Sequence, residues 1–255
     1  MAAPSNGSVP RYVGAAFVAQ FSTSLAAGLL STSMLSGDAS TVSAAVVADP
    51  GRLRAVILLE LLTALGIVAL TSLLFVALRD TVRWVATVAF ALWVVEATVL
   101  AVSMLSLYSL LDLASVSVGS GSALSAPDAA IGQVALGLRE HAADMAMLFF
   151  AAGALLWYWL FLRTRFVPRW LSIWGLASVV LVGLATLTLV WDRDLQPPIV
   201  LYVAYVPFEL VVGCWLLIKG SPRRPDHPEG TTLPDVPSAQ RSPADGFHVR
   251  PASSA

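Results

Sequence analysis

Glu60, Glu96 and Glu209 each interrupt an otherwise apolar run, and a further apolar run opens on Arg139, Glu140, His141 and Asp144. A charged side chain in hydrocarbon costs about 2.5 to 3.5 kcal/mol even on a lenient insertion scale. Such acids must face other helices, pair with a cation, or carry a proton. A carboxylic acid kept protonated in an apolar pocket is a general acid, and an ionised one beside it is a base. Glu140 and Asp144 stand one helical turn apart with His141 alongside, a spacing that suits a proton relay or a metal site. One histidine is thin ligation, so no metal is expected, and nothing calls for another cofactor. The candidate catalytic residues are Glu60, Glu96, Glu209, Asp144 and His141. The same residues admit structural readings. The three glutamates could bond serines or tyrosines across helices, His141 could be a solvated or capping residue, and a helix dipole alone favours acids in a first turn.

The elements that must carry these residues are membrane spans. Apolar runs of about twenty residues cross a bilayer, and the chain has six: Tyr12 to Ser31, Ala55 to Leu78, Trp84 to Leu111, a run descending from Arg139, a run following Arg169, and Ile199 to Ile218. The expected fold is an all-α integral membrane six-helix bundle over residues 11–220, with a flexible stretch at 1–10 and a disordered cytoplasmic tail at 221–255. Thr32 to Arg54 reads as a moderately polar loop, and Asp112 to Gly137 as a Ser/Gly-rich loop around SVGSGSALSAPD. Trp157, Tyr158, Trp159 and Phe161 read as an aromatic belt at the membrane surface. Pro207 interrupts the last span and frees a carbonyl near Glu209.

Orientation follows from the basic residues. Arg11, Arg79, Arg83, Arg163, Arg165, Arg169, Lys219, Arg223 and Arg224 fall on one side, and Arg52, Arg54, Arg139 and Arg193 on the other. Nine against four places both termini in the cytoplasm of a plasma-membrane protein. This threading puts Glu96 and Glu209 near the midplane, facing each other across one cavity, with Glu60 nearer the outer surface. Composition excludes other classes. The chain is 57% hydrophobic and 12% charged with a net charge of −1, which offers no basic surface for nucleic acid. The Ser/Gly loop lacks the Gly-Lys-Ser ending of a phosphate-binding loop. Cys214 is the single cysteine, so neither an intrachain disulfide nor a cysteine metal site can form.

The segment VPRWLSIWGL at Val167 to Leu176, preceded by GALLWYWLFLRTR and followed by the ending PFELVVGCWLLIKG, resembles the bacterial six-span membrane family known as domain of unknown function 4386. The resemblance covers roughly residues 10 to 220. It implies a six-span fold, a Pro-Arg-Trp-Leu-Ser hairpin, a glutamate in the Glu-Leu segment of the last span, and acids at the positions of Glu60, Glu96 and Glu209. Arg139 to Asp144 departs from the family pattern, which places an aromatic residue near His141 and a histidine near Asp144. The resemblance implies a fold without prescribing an activity. Two function classes follow from the residues. One is an intramembrane enzyme that cyclises or isomerises a lipophilic substrate of prenyl or polyketide type by acid–base catalysis. The other is a non-enzymatic transporter, immunity protein or lipid-binding module. Either way the expected partner is a membrane lipid or a lipophilic small molecule, not nucleic acid.

Overall fold

The computed structural model describes residues 9–120, 125–195, 198 and 200–220. Among them are eight helices: α1 (Val9–Met34), α2 (Ala39–Ala48), α3 (Pro50–Leu78), α4 (Arg83–Ser120), α5 (Ala126–Thr164), α6 (Arg169–Trp191), α7 (Val200–Val203) and α8 (Val206–Lys219). Six segments are long and apolar enough to cross a membrane, α7 and α8 together forming the last. The chain is therefore an all-α, multi-pass membrane protein. The tail at 221–255, the N-terminal residues 1–8 and the heart of the Ser/Gly loop at 121–124 lie outside the described residues.

Two stretches read as loops are mostly helical among the described residues. Asp38 and Asp49, which gave Thr32 to Arg54 its polar look, are helix caps. Asp38 accepts from the Thr41 amide to start α2, and Asp49 accepts from the Arg52 amide to start α3, with Pro50 in the first turn. Proline there loses no hydrogen bond, because first-turn amides have no partner within the helix. Of the second stretch, Asp112 to Gly137, residues 112–120 belong to the end of α4 and residues 126–137 to the start of α5. These two helices are 38 and 39 residues long, about 57 Å at 1.5 Å per residue, against a hydrocarbon core of about 30 Å. Their ends overrun the membrane thickness and are covered by α2. Val42 and Val46 of α2 pack with Leu107, Leu110 and Ala114 of α4 and with Ala135 and Leu136 of α5. Tertiary burial, not local propensity, keeps this Ser- and Gly-containing sequence helical.

The aromatic block also differs from its surface reading. Trp157, Tyr158 and Phe161 are fully buried, and only Trp159 reaches the surface, where Arg163 lies over its ring at 5.4 Å. The interfacial tryptophans are instead Trp84, Trp170 and Trp191, all exposed at helix ends. The buried aromatics belong to a large core with the second half of α3 (Ala64 to Leu78), the first half of α4 (Val85 to Ala97), and α6 and α8. A second core gathers the opposite halves: Leu53 to Ile57 of α3, Met104 to Ala114 of α4, and α2. The two cores leave an interval along the bundle, between residues 57 and 64 on α3 and between 97 and 104 on α4. The glutamates cluster around this interval.

The last span breaks where proline requires it. Pro207 sits in the first turn of α8, and the Phe208 amide turns back to the Tyr205 carbonyl at 3.0 Å. The Ala204 carbonyl is thereby released. It accepts from the Trp174 indole at 3.2 Å and from the Ser178 hydroxyl at 3.3 Å, both on α6. Toward the other end of α8 the helix presses against α1: a Cβ added at Gly14 would lie 2.5 Å from the Leu217 amide nitrogen and 2.8 Å from the Gly213 carbonyl oxygen. Only glycine lets the two backbones approach so closely.

Candidate functional site

A cavity of about 490 Å³ lies in the interval between the two cores, bounded by α1, α3, α4, α5, α6 and the α7–α8 segment. Its walls are chiefly apolar, with Phe21, Leu100, Met147, Phe150 and Val182 among the lining side chains. Into it project Glu60 from α3, Glu96 from α4, Arg139 from α5 and Glu209 from α8. The structure thus brings the three span glutamates to one place, as the depth argument anticipated.

Each acid has a different environment. Glu60 is ion-paired with Arg139, Oε1 to Nη2 at 3.4 Å, with both side chains about four-fifths buried. Glu209 is 9% exposed and its Oε1 accepts from the Tyr205 hydroxyl at 2.8 Å. The Tyr205 hydroxyl in turn lies 2.9 Å from that of Tyr158. A phenol has one proton to give; with that of Tyr205 spent on Glu209, Tyr158 is the donor to Tyr205. The result is a three-member relay from α5 through the α7–α8 link to α8. Glu96 is 7% exposed, and its Oε2 has no hydrogen-bond partner among the described residues. The Gln20 Oε1 and Arg139 Nε atoms, on two other lining residues, are likewise buried and unpartnered.

Aromatic rings form one side of the site. Phe150 meets the Tyr205 ring edge-on at 5.1 Å between centroids and stacks on Trp93 at 6.0 Å. Phe208 packs edge-on against Tyr158 at 4.9 Å and lies 5.8 Å from Tyr205. These contacts hold the relay tyrosines in single orientations, and the Trp93 indole is itself fixed by donating to the Phe150 carbonyl at 3.1 Å.

The remaining candidates stand apart from the cavity. Asp144 and His141 do not line it, and neither does Glu140. All three are gathered by Arg193, from the α6–α7 connection: Nη1 donates to Glu140 Oε2 at 3.1 Å, Nη2 to Asp144 Oδ2 at 2.6 Å, and Nη2 lies 2.6 Å from His141 Nδ1. On α5, therefore, Arg139, Ala143, Ala146 and Met147 face the cavity, while residues 140, 141 and 144 face the connection between α6 and α7. Among the described residues no group of three or more His, Cys, Asp and Glu is placed to hold a metal ion.

Sequence reasoning missed Tyr205, Tyr158 and Gln20 as site residues and Arg193 as a clamp. Tyr205 left a readable signal, since it stands four residues before Glu209 and so one turn away on the same face. Tyr158 left none, because its burial depends on packing against Phe208 and Phe161.

The family model described as Domain of unknown function (DUF4386) matches residues 12–220. No curated protein and no solved structure matches the chain.

Proposed function

We propose, from the premise that the chain belongs to the DUF4386 family, that this membrane protein binds a lipophilic molecule in its glutamate-lined cavity and isomerises or cyclises it by acid–base catalysis. One observation carries the reading: Glu96 and Glu209, two deeply buried carboxyls in different environments, line one apolar cavity. Glu96, without a partner on Oε2, is the acid. Its proton adds to an alkene carbon of the substrate, the π electrons form the new C–H bond, and a carbocation is left. Glu209, held by Tyr205, is the base. It removes a proton from a neighbouring carbon, whose C–H electrons form the new double bond; in cyclisation a second alkene attacks the cation before that step. The proton taken by Glu209 is then returned to Glu96 across the shared cavity, so the protein is unchanged and the product is an isomer of the substrate.

The other residues support this scheme. Phe21, Phe150, Tyr202 and Tyr205 line the cavity, and aromatic faces within about 6 Å stabilise a developing cation. Arg139 neutralises Glu60, so a third free negative charge does not trap that cation as an ester. Asp144 and His141, bound to Arg193, take no step here and anchor the α6–α7 connection. The protein resides in the plasma membrane with both termini cytoplasmic, on the arginine and lysine bias.

The test is solvent isotope uptake. Protein purified with its co-extracted lipids is incubated in D₂O, and the lipid fraction is followed by mass spectrometry. Glu96 exchanged in D₂O carries a deuteron, so the first protonation of an alkene places one solvent deuterium on carbon in one lipophile, up to one per protein where the later protons are recycled from Glu209. Glu96→Gln and Glu209→Gln keep the shape, so both should fold and lose this uptake. Full uptake in both variants would remove the acids from the chemistry and leave a binding or transport protein.

A further inference from the structure

The cavity is not closed on all sides. Leu25 and Leu29 of α1 and Val206 of α8 line it, yet they are 45%, 68% and 43% exposed. An apolar side chain that is at once cavity wall and outer surface marks the rim of an opening. The opening lies between the second half of α1 and the α7–α8 break. The cause is visible at the other end of the same pair, where Gly14 and Gly213 draw α1 and α8 into backbone contact. Further along, no comparable contact forms at Gly28, where an added Cβ would meet nothing within 4 Å. Because these rim residues belong to membrane-spanning helices, the opening faces lipid rather than water.

The interior specifies what can enter. Among the lining residues the charged side chains are Glu60, Glu96, Glu209 and Arg139, and the arginine is already paired with Glu60. An anionic head such as a phosphate would meet carboxyls with no free cation to offset them. The unpartnered buried atoms on lining residues are the acceptor Gln20 Oε1, the donor Arg139 Nε, and Glu96 Oε2, which gives a hydrogen bond while the carboxyl holds its proton and takes one once the proton is spent. A hydroxyl gives a proton to an acceptor and takes one from a donor, so it answers both kinds of orphan. An ammonium head is drawn to an ionised carboxyl, but it has only donors and leaves Arg139 Nε without an acceptor.

Resting on the reading of the cavity as a lipophile site, we propose that it is entered sideways from the bilayer between α1 and the α7–α8 segment, and that its ligand is an uncharged amphiphile with a hydroxyl head and a long apolar chain. The volume of about 490 Å³ lies within the roughly 300–1,000 Å³ of ordinary small-molecule sites. It accommodates the head and the first part of the chain, and the remainder passes out over Leu25, Leu29 and Val206 into lipid.

The experiment uses the full chain in phosphatidylcholine nanodiscs and three photoreactive probes of equal chain length: a hexadecanol, its phosphate monoester and the corresponding primary amine, each with a diazirine near the head. Crosslinks are mapped by mass spectrometry. The alcohol should label peptides containing Leu25 to Leu29 and Tyr202 to Glu209, about tenfold above the phosphate, the factor expected when one buried polar group is left unpaired. Gly28→Phe fills the opening where nothing opposes a side chain, and should cut this labelling at least several-fold with melting unchanged. Gly137→Phe is the control, since Gly137 also has open space around it and does not line the cavity. Equal or stronger labelling by the phosphate or the amine would overturn the head-group assignment. Undiminished labelling in Gly28→Phe, or labelling spread evenly over all lipid-facing helices, would overturn the lateral entrance. None of these outcomes depends on turnover. If labelling fails while solvent deuterium uptake still needs Glu96, the entrance is wrong and the acid–base reading stands; if labelling succeeds without uptake, the reverse holds.

Discussion

Replacing Tyr205 by phenylalanine should cost more than replacing Tyr158, although each change deletes one hydroxyl. The Tyr205 hydroxyl is the middle member of the relay, donating to Glu209 Oε1 at 2.8 Å and receiving from Tyr158 at 2.9 Å. Tyr158→Phe removes only the outer bond. Interhelical hydrogen bonds in membrane proteins average about 0.6 kcal/mol and reach about 1.7, which sets the expected loss. Tyr205→Phe removes the same bond and also strips Glu209 of its donor. A bond to a carboxylate contributes about 1.5 to 3 kcal/mol, so the total, with the outer bond, is about 2 to 5 kcal/mol. The ring contacts with Phe150 and Phe208 survive in the variant, so packing loss does not blur the comparison. The double variant is the sharper measurement. Tyr205→Phe alone leaves Tyr158 as a buried hydroxyl without an acceptor, and the double change removes that orphan. The shared bond is also counted in both singles, so the double should cost less than their sum by at least about 1 kcal/mol. Equilibrium unfolding in mixed detergent micelles, followed by tryptophan fluorescence, gives all three values. Strict additivity, or a Tyr205→Phe variant as stable as the parent, would refute the relay.

Three further outcomes follow from the same geometry. Arg139→Gln should destabilise by about 1 to 3 kcal/mol by leaving Glu60 without its cation in a mostly buried site, and adding Glu60→Gln should restore most of the loss; the same unfolding assay reads both. Asp38, outside the spans, has its carboxyl held down from 3.8 to about 2, first by the Thr41 hydroxyl and then by Ser40 and the Thr41 amide. A depressed folded value means that the cap of α2 holds above about pH 4 and is lost as pH falls through about 2; carboxyl ¹³C titration should show that midpoint, and Thr41→Val should raise it toward 3.8. Alkaline phosphatase fused after Ser120 should be active and fused after Gly220 inactive, and the reverse pattern would invert the proposed orientation.

How much could be read from the sequence depended on whether the signal was local. Span number followed from runs of apolar residues, which any window along the chain detects. The convergence of Glu60, Glu96 and Glu209 followed from two steps: depth put Glu96 and Glu209 near the midplane with Glu60 nearer the outer surface, and the cost of a charge in lipid turned the acids inward. Local polarity misled where it served as capping. Asp38 and Asp49 look like loop residues, yet each spends its carboxylate on the amides that begin a helix. The aromatic block at Trp157 to Phe161 has the composition of an interfacial belt, and only the packing of α5 among α3, α4, α6 and α8 turns it inward. Arg193 could not be paired with Glu140, His141 and Asp144 from spacing. Some fifty residues separate them, and the contact exists because the α6–α7 connection folds over the α5 helix.

The strongest argument that the cavity has a function comes from what its acids lack. A purely structural acid in a membrane bundle is kept where a partner offsets its desolvation, as Arg139 does for Glu60 and Tyr205 does for Glu209. Glu96 is more buried than either, and one of its carboxyl oxygens has no hydrogen-bond partner among the described residues. Stability alone favours an apolar residue there, since Ala97 and Trp93 beside it are already core and a leucine would remove an unsatisfied polar group. Glu96→Leu should accordingly stabilise the empty protein, while Glu209→Leu, which orphans Tyr205, should not. On the proposed reading, a side chain that weakens the fold and lines the cavity acts on what enters it.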